Sequence, residues 1–319
     1  MGSKTIVTLC TALALACGAF ALAGCANDRG SAASTQGFGH AATASETSKE
    51  SQSTGDATAS SQAATQETAN ENNSEGTMAT STLQTMSVTV NGAAFNMNLV
   101  EAGIFTMGSD NTGVQFSESP AHEVTLTRDY LMGETEVTED LWAAVMGGRG
   151  SGSSLPKTSV TWQDAHDFIN RLNQLAHDQG AIADDRNFHL PTEAQWEFAA
   201  KGGNASQGYL YSGSDDVDEV AVTRENSGSD APTYVKTKKP NELGLYDMSG
   251  NAYEWVEDRG GSYSADPQTD PVNTRGSLYV KRGGSNYHSF SSEPYLFTTT
   301  GRYFYGSTDW TIGFRICLY

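Results

Sequence analysis

An α+β fold is what the sequence predicts for residues 84–319, and three observations carry it. Apolar residues alternate on either side of the pair Asn91-Gly92, the pattern of two strands joined by a tight turn. They recur at helical spacing from 162 to 175, the pattern of an amphipathic helix. Gly, Ser, Asn and Asp cluster between the periodic segments, so the elements are short and the loops long.

In chain order, residues 86–90 and 95–100 form the hairpin, 104–108 gives another strand and 123–127 the next. A strand over 130–137 leads into Thr138, whose hydroxyl can cap a helix running through Leu141, Trp142 and Val145 until Gly147-Gly148 stop it. After a Gly/Ser loop at 149–154, Thr161 and Asp164 approximate a capping box. The helix behind it carries Trp162, Ala165, Phe168, Ile169, Leu172 and Leu175 on one face. Thr192 and Gln195 match the same box for a third helix, which ends at Gly202-Gly203 and points Trp196 to the core. There is no internal repeat and no glycine-rich phosphate loop.

Upstream, Lys4 precedes an apolar run from 6 to 23 that is short for a membrane span and reads as a secretion signal over 1–24. The run closes on Leu22-Ala23-Gly24-Cys25, the small-residue pattern after which bacteria attach lipid to cysteine. Cys25 is therefore the expected lipidation site and membrane anchor, a plain signal peptide being the alternative. Residues 25–83 are Ser, Ala, Thr, Gln and Glu with little apolar content beyond Phe38 and Met78. Such a segment cannot bury enough surface to offset its ordering entropy and is expected to be a flexible tether. The expected location is the cell surface, exported and membrane-anchored. A formal charge of -19 argues against nucleic acid and against docking on anionic lipid. The four cysteines stand at 10, 17, 25 and 317. The first two leave with the signal and the third is lipidated, so Cys317 has no disulfide mate in a mature chain.

The run Asn-Glu-Leu-Gly-Leu-Tyr-Asp-Met-Ser-Gly-Asn-Ala-Tyr-Glu-Trp at 241–255 packs turn glycines, carboxylates and rings together. Asp247 and Glu254 flank the Gly250 turn. A hard cation such as calcium takes about six to eight oxygens, and an irregular Gly-centred loop can turn carbonyls inward to supply some of them. The spacing equally allows Asp247 to cap a turn and Glu254 to pair with an arginine.

This run resembles the G-N-x-W-E-W signature of the formylglycine-generating-enzyme, or sulfatase-modifying-factor, superfamily, with Tyr253 where the first tryptophan is usual. Further blocks follow in family order: Phe105-Thr106-Met107-Gly108-Ser109, the Pro-Ala-His-Glu-Val-Thr-Leu run at 120–126, Glu136-Val137-Thr138, the Leu-Pro-Thr-Glu-Ala-Gln-Trp-Glu-Phe-Ala-Ala run at 190–200, Arg282-Gly283-Gly284-Ser285 and Gly313-Phe314-Arg315. The resemblance implies a C-type-lectin-like fold, a small twisted antiparallel sheet wrapped in long loops with a few packed helices. It also implies structural calcium held by the side chains of Asp247 and Glu254 and the carbonyls of Gly250 and Ala252. A second calcium site of some relatives lies in a longer loop that is trimmed here, between Asn226 and Lys238.

The family's oxidases hold copper on two cysteines a short distance past Arg-Gly-Gly-Ser, because soft thiolates suit cuprous copper. Residues 286–293 contain no sulfur here, and Cys317 comes too late in the chain to substitute. Another branch binds non-haem iron through three histidines and a helical-bundle domain that is missing. His122, His166, His177, His189 and His288 are scattered, with no His-x-x-x-His pair. No copper, no iron and no catalytic residue are therefore expected.

The tail from 286 to 311 has 8 aromatic and 9 Ser or Thr residues among 26, a palette in which rings give contact area and hydroxyls adapt their hydrogen bonds. Asn286, Tyr287, His288, Phe290 and Tyr295 are expected ligand contacts from its first half. Tyr303, Phe304, Tyr305, Asp309 and Trp310 are those from its second. The tail also resembles those surface lipoproteins of this fold whose C-terminal segments are diversified by retroelements. Three functional readings follow: a lipid-anchored module binding a protein or glycan ligand, an oxidase of the formylglycine type or a related iron enzyme, and a structural subunit of an envelope complex.

Overall fold

The structure is a computed structural model that describes residues 83–319 apart from 112–115 and 151; the signal segment, Cys25 and the tether up to residue 82 lie outside the described residues. The hairpin falls where the sequence puts it. β1 (Thr85–Val90) pairs antiparallel with β2 (Ala93–Val100), and Asn91 and Gly92 take φ of 50° and 82°, the positive values that a two-residue turn needs. β3 (Gly103–Met107) pairs antiparallel with β4 (His122–Leu126), and β8 (Gln268–Thr269) lies parallel beside β4. β5 (Tyr130–Gly133) is shorter than the 130–137 expected. The Gly133 amide donates to Ile316 O at 2.8 Å and the Val137 amide to Phe314 O at 2.9 Å, so the chain leaves the ladder to follow the C-terminal segment.

A five-stranded sheet runs β1-β2-β5-β12-β6, with β6 at Phe188–His189 and β12 at Cys317–Leu318. A four-stranded sheet runs β10-β9-β7-β11, from β7 (Tyr253–Arg259), β9 (Tyr279–Arg282), β10 (Arg302–Tyr305) and β11 (Ile312–Phe314). Its β11 is parallel to β7, so that pair and β4 with β8 depart from an all-antiparallel pattern.

The three long helices have the expected caps. α1 (Glu139–Met146) starts where Thr138 Oγ1 accepts from the Leu141 amide, and Gly147 ends it. α2 (Trp162–Asp178) and α3 (Glu193–Ala200) begin in complete capping boxes, Thr161 with Asp164 and Thr192 with Gln195. Two single turns, α4 (Val217–Val220) and α5 (Arg224–Ser227), sit in the loop-rich middle.

The apolar stripe of α2 packs against β1 and β6. Its Phe168 is buried between Trp142, stacked at 5.3 Å, and Phe314, met edge-on. Full burial of one such ring contributes about 1.5–3 kcal/mol. A second cluster gathers Trp196 and Phe198 of α3 with Met132, Val256 and Val280. Tyr253 and Trp255 of β7 belong to the first cluster and Leu245 and Met248 to the second, so the 241–255 turn is anchored in both.

Candidate functional site

The 241–255 turn is built on strained positions that its residue types tolerate. Asp247 and Asn251 take φ of 59° and 58°, where Asp and Asn are the least penalised side chains after glycine. At Gly250, φ 82°, an added Cβ would stand 2.3 Å from Val222 O, so only glycine lets the Val222 backbone run against the turn. That approach is held by the Asn251 amide donating to Val222 O at 3.0 Å.

Beneath the turn lie three carboxylates. Glu254 is 0% exposed and accepts from Arg315 Nη2 on one oxygen at 2.6 Å. Its other oxygen accepts from Arg315 Nε at 2.6 Å and Trp196 Nε1 at 2.7 Å. Glu254, expected among the calcium ligands, is thus committed to the arginine pairing that its spacing also allowed. Asp247 Oδ2 accepts from the Lys236 amide at 2.8 Å, and Glu136 Oε1 accepts from Asn251 Nδ2 at 3.0 Å. Asp247 Oδ1 and Glu136 Oε2 are buried and meet no hydrogen-bond donor among the described residues. Burial, and then the charges of Asp247 and Glu254, hold the Glu136 carboxyl well above its ordinary range. Burial likewise pushes Asp247 up to about 6, against the pull of the Lys236 amide and Arg315.

Two orphaned oxygens beside an excess of negative charge are what a hard cation satisfies, so Asp247 and Glu136 fit a calcium ion. Glu254 does not, and among the described residues no set of three or more His, Cys, Asp or Glu side chains converges on one point. Glu136 stands in the Glu-Val-Thr block, but nothing in the sequence ties it to a residue 115 positions away.

The other family blocks supply a second buried frame. Glu193 accepts from Arg302 Nε at 2.7 Å and Nη2 at 2.6 Å, while Glu197 pairs with Arg282 and accepts from Lys201 Nζ at 2.6 Å. These charges hold the four-stranded sheet to α3. Cys317 is buried in β12 with its thiol pushed up by burial, Sγ lying 3.6 Å from His189 O. His122 meets Tyr263 at a tilt, His166 lies 3.2 Å from Glu257, His177 meets Asn187 and His189 stacks on Tyr319.

The tail divides into four groups. Tyr287 and Trp310 are 42% and 43% exposed and meet edge to face at 5.0 Å. Tyr287 touches His288 at 5.6 Å, and His288 touches Tyr253 at 5.5 Å while its Nδ1 lies 2.9 Å from Glu293 Oε2. Lys281 stands over Tyr253 at 3.8 Å and Tyr305 at 4.6 Å, with Asp309 Oδ2 at 3.8 Å. Contacts thus run from Trp310 through Tyr287, His288 and Tyr253 to the buried Lys281 and on to Asp309, the chain neighbour of Trp310, with Tyr303 and Tyr305 beside them.

Phe290 and Tyr295 go elsewhere: they pack over Phe297 and Tyr211 beside a groove of about 770 Å³ lined by Tyr209 and Leu210. Phe304 is on the opposite side of β10 from Tyr303 and Tyr305, half-buried over Arg302, because alternate residues of a strand face opposite ways. Asn286, expected at the ligand face, is 0% exposed and donates to the carbonyls of Ser229 and Ala231. Glu225 of α5 clamps the loop between them, accepting from Ser289 Oγ at 2.6 Å, the Phe290 amide at 3.0 Å and the Ser291 amide at 3.3 Å. Burial opposes them, yet these donors bring the Glu225 carboxyl down to about 2. Lys281 and Glu225 carry no sequence signal as members of this site.

The fold and this buried ion-pair frame define a protein of the sulfatase-modifying-factor type, and residues 84–318 match the description Sulfatase-modifying factor enzyme 1-like domain. The chain belongs to that family, and its fold is the C-type-lectin-like one of the formylglycine-generating enzymes. It is 32% identical over 230 residues to a Paenibacillus barcinonensis protein described as chaperone protein LppX, covering 58% of this chain and 76% of that one. It is 28% identical over 163 residues to the formylglycine-generating enzyme of Streptomyces coelicolor, covering 45% of this chain and 49% of that one, so it spans about half of that enzyme. Treponema denticola variable protein 1 aligns with a TM-score of 0.62 and 30% identity over 73% of this chain and 98% of that one. PvdO from Pseudomonas aeruginosa shares the fold at a TM-score of 0.56 and 23% identity, over 72% of this chain and 97% of that one.

Proposed function

We propose that the chain is a lipid-anchored binding protein without a catalytic role, displaying a ligand face around Tyr287, His288, Tyr303, Tyr305, Asp309 and Trp310. One observation carries this reading: two large exposed rings, Tyr287 and Trp310, meet edge to face, and contacts lead from Tyr287 through His288 and Tyr253 to the buried Lys281, with Glu225 clamping the loop just after His288. Similarity to Treponema denticola variable protein 1 over nearly all of that chain supports it, as does the absence of cysteine from 286–293. The Leu-Ala-Gly-Cys run ending at Cys25 supports the anchor and display at the cell surface. Diversification of 286–311 by a retroelement is part of the same reading, and a near-copy of the segment in neighbouring DNA is its signature. Calcium, held by Asp247 and Glu136, would neutralise the excess charge under the turn and stiffen the scaffold.

The test is capture of ligands from arrays of purified surface proteins and glycans by the full chain in detergent. Tyr287→Ala with Trp310→Ala is expected to abolish capture, whereas Leu210→Ala at the separate groove keeps it. Unchanged capture in the double variant, or copper-dependent conversion of a cysteine-containing sulfatase peptide to an aldehyde, overturns the reading.

A further inference from the structure

Lys281 is an unusual residue to find at the centre of a recognition face. Its side chain is 9% exposed, its ammonium rests on the faces of Tyr253 and Tyr305, and the nearest carboxylate oxygen among the described residues, Asp309 Oδ2, is 3.8 Å away. That is too far for a hydrogen bond, which needs about 2.7–3.2 Å between nitrogen and oxygen. Asp309 cannot simply close the gap. Its Oδ1 accepts from the amide of Thr311 at 2.8 Å and from the Thr311 hydroxyl, which fixes the carboxylate and leaves Oδ2 turned to the lysine. Burial holds the ammonium below the ordinary lysine range, with the Asp309 charge opposing, so an additional acceptor would relieve it.

The gap has a donor on one side and an acceptor on the other. A ligand carboxylate would crowd Asp309, and a ligand ammonium would crowd Lys281. A hydroxyl satisfies both groups at once, accepting from Nζ and donating to Oδ2. Beside the gap, Tyr287 and Trp310 offer exposed ring surface at an interplanar angle of 81°, suited to the apolar C–H face of a sugar ring. The formal charge of -19 opposes the approach of a polyanion and is indifferent to a neutral chain.

Building on the ligand face proposed above, we infer that its ligand is a neutral glycan, one sugar hydroxyl of which bridges Lys281 Nζ and Asp309 Oδ2 while a neighbouring ring lies on Trp310 or Tyr287.

Affinity electrophoresis of the full chain in detergent tests this with three soluble neutral polysaccharides (a β-glucan, an α-mannan and a galactomannan), the acidic polysaccharide hyaluronan, and a serine-rich peptide conjugate. At least one neutral polysaccharide is expected to retard the protein. Lys281→Met, which keeps the stem and removes the donors, is expected to weaken that retention about ten- to a hundredfold, the loss typical of a hydrogen bond to a charged group. Asp309→Asn keeps one acceptor and should fall between the two. Because Asp309 is 29% exposed at its side chain, that variant carries the test should Lys281→Met fail to fold. Retention by hyaluronan or the peptide alone, no retention by any neutral polysaccharide, or retention indifferent to both substitutions overturns the inference. If a protein ligand is instead captured in a Trp310- and Tyr287-dependent way, the face stands and the glycan falls. If capture ignores those rings as well, both fall.

Discussion

Glu254→Gln preserves volume while removing the charge that faces the buried guanidinium of Arg315. The carboxylate accepts three hydrogen bonds, two from Arg315 at 2.6 Å and one from Trp196 at 2.7 Å, and no water reaches it at 0% exposure. A glutamine offers one oxygen and one NH2. Whichever way the amide turns, its NH2 confronts a donor, either Arg315 Nη2 or Arg315 Nε together with Trp196 Nε1. Breaking one partner of a buried ion pair costs about 3–5 kcal/mol, because the other charge stays buried and uncompensated. The lower end is expected here. The Glu254 charge is one of the forces that raise the Glu136 and Asp247 carboxyls, so once it is gone both carry negative charge more readily and share the load of Arg315. A domain has about 5–15 kcal/mol in all, so about 3 kcal/mol is a large fraction. Urea unfolding of the full chain at pH 7, followed by tryptophan fluorescence, measures the loss. Adding Arg315→Met should cost less than the sum of the single substitutions. A loss below about 1 kcal/mol for Glu254→Gln would mean that water or another anion compensates Arg315, and the reasoning fails.

Two further outcomes follow from buried carboxyls. Burial and the Glu193 charge raise Asp258 to about 7, from about 3.9 for an unfolded chain, so the native state binds this proton more tightly. Its stabilising contribution is complete below pH 4 and is lost as pH rises to 7, at most about 4 kcal/mol. Asp258→Asn should therefore flatten the decline of stability over pH 4–7, and parallel wild-type and variant curves would contradict the assignment. For the turn, millimolar calcium should raise the melting temperature of the full chain above its value in chelator, by the equivalent of about 2.7 kcal/mol at a hundredfold excess over Kd. Asp247→Asn should erase that difference; equal melting temperatures with and without calcium in the wild type would remove calcium from the site.

The sequence was legible wherever a short segment determines its own conformation. The Asn91-Gly92 turn and the capping boxes at Thr161 and Thr192 need only neighbours within a few residues, and all three appear as read. Two-residue strands such as β6, β8 and β12 exist because of distant partners, so periodicity could not reveal them. The same limit governs the site. Alternation along an extended segment points Tyr303 and Phe304 oppositely, but it does not say that Phe304 lies over Arg302 while Tyr303 packs against the first core cluster. Asn286 has the composition of a contact residue and the position of a buried backbone brace. Glu254 meets Arg315 across 61 residues and Glu225 reaches Ser289 across 64, separations over which one sequence carries no pairing signal.

Two of the three atoms that Glu225 grips are backbone amides, those of Phe290 and Ser291. Any amino acid except proline brings an identical N–H, so the hold on this loop does not depend on what the loop displays. Replacing Phe290 or Ser291 by anything but proline therefore leaves these two anchors in place, and the course of the loop that follows Tyr287 and His288 rests there on the main chain and not on the identity of either side chain.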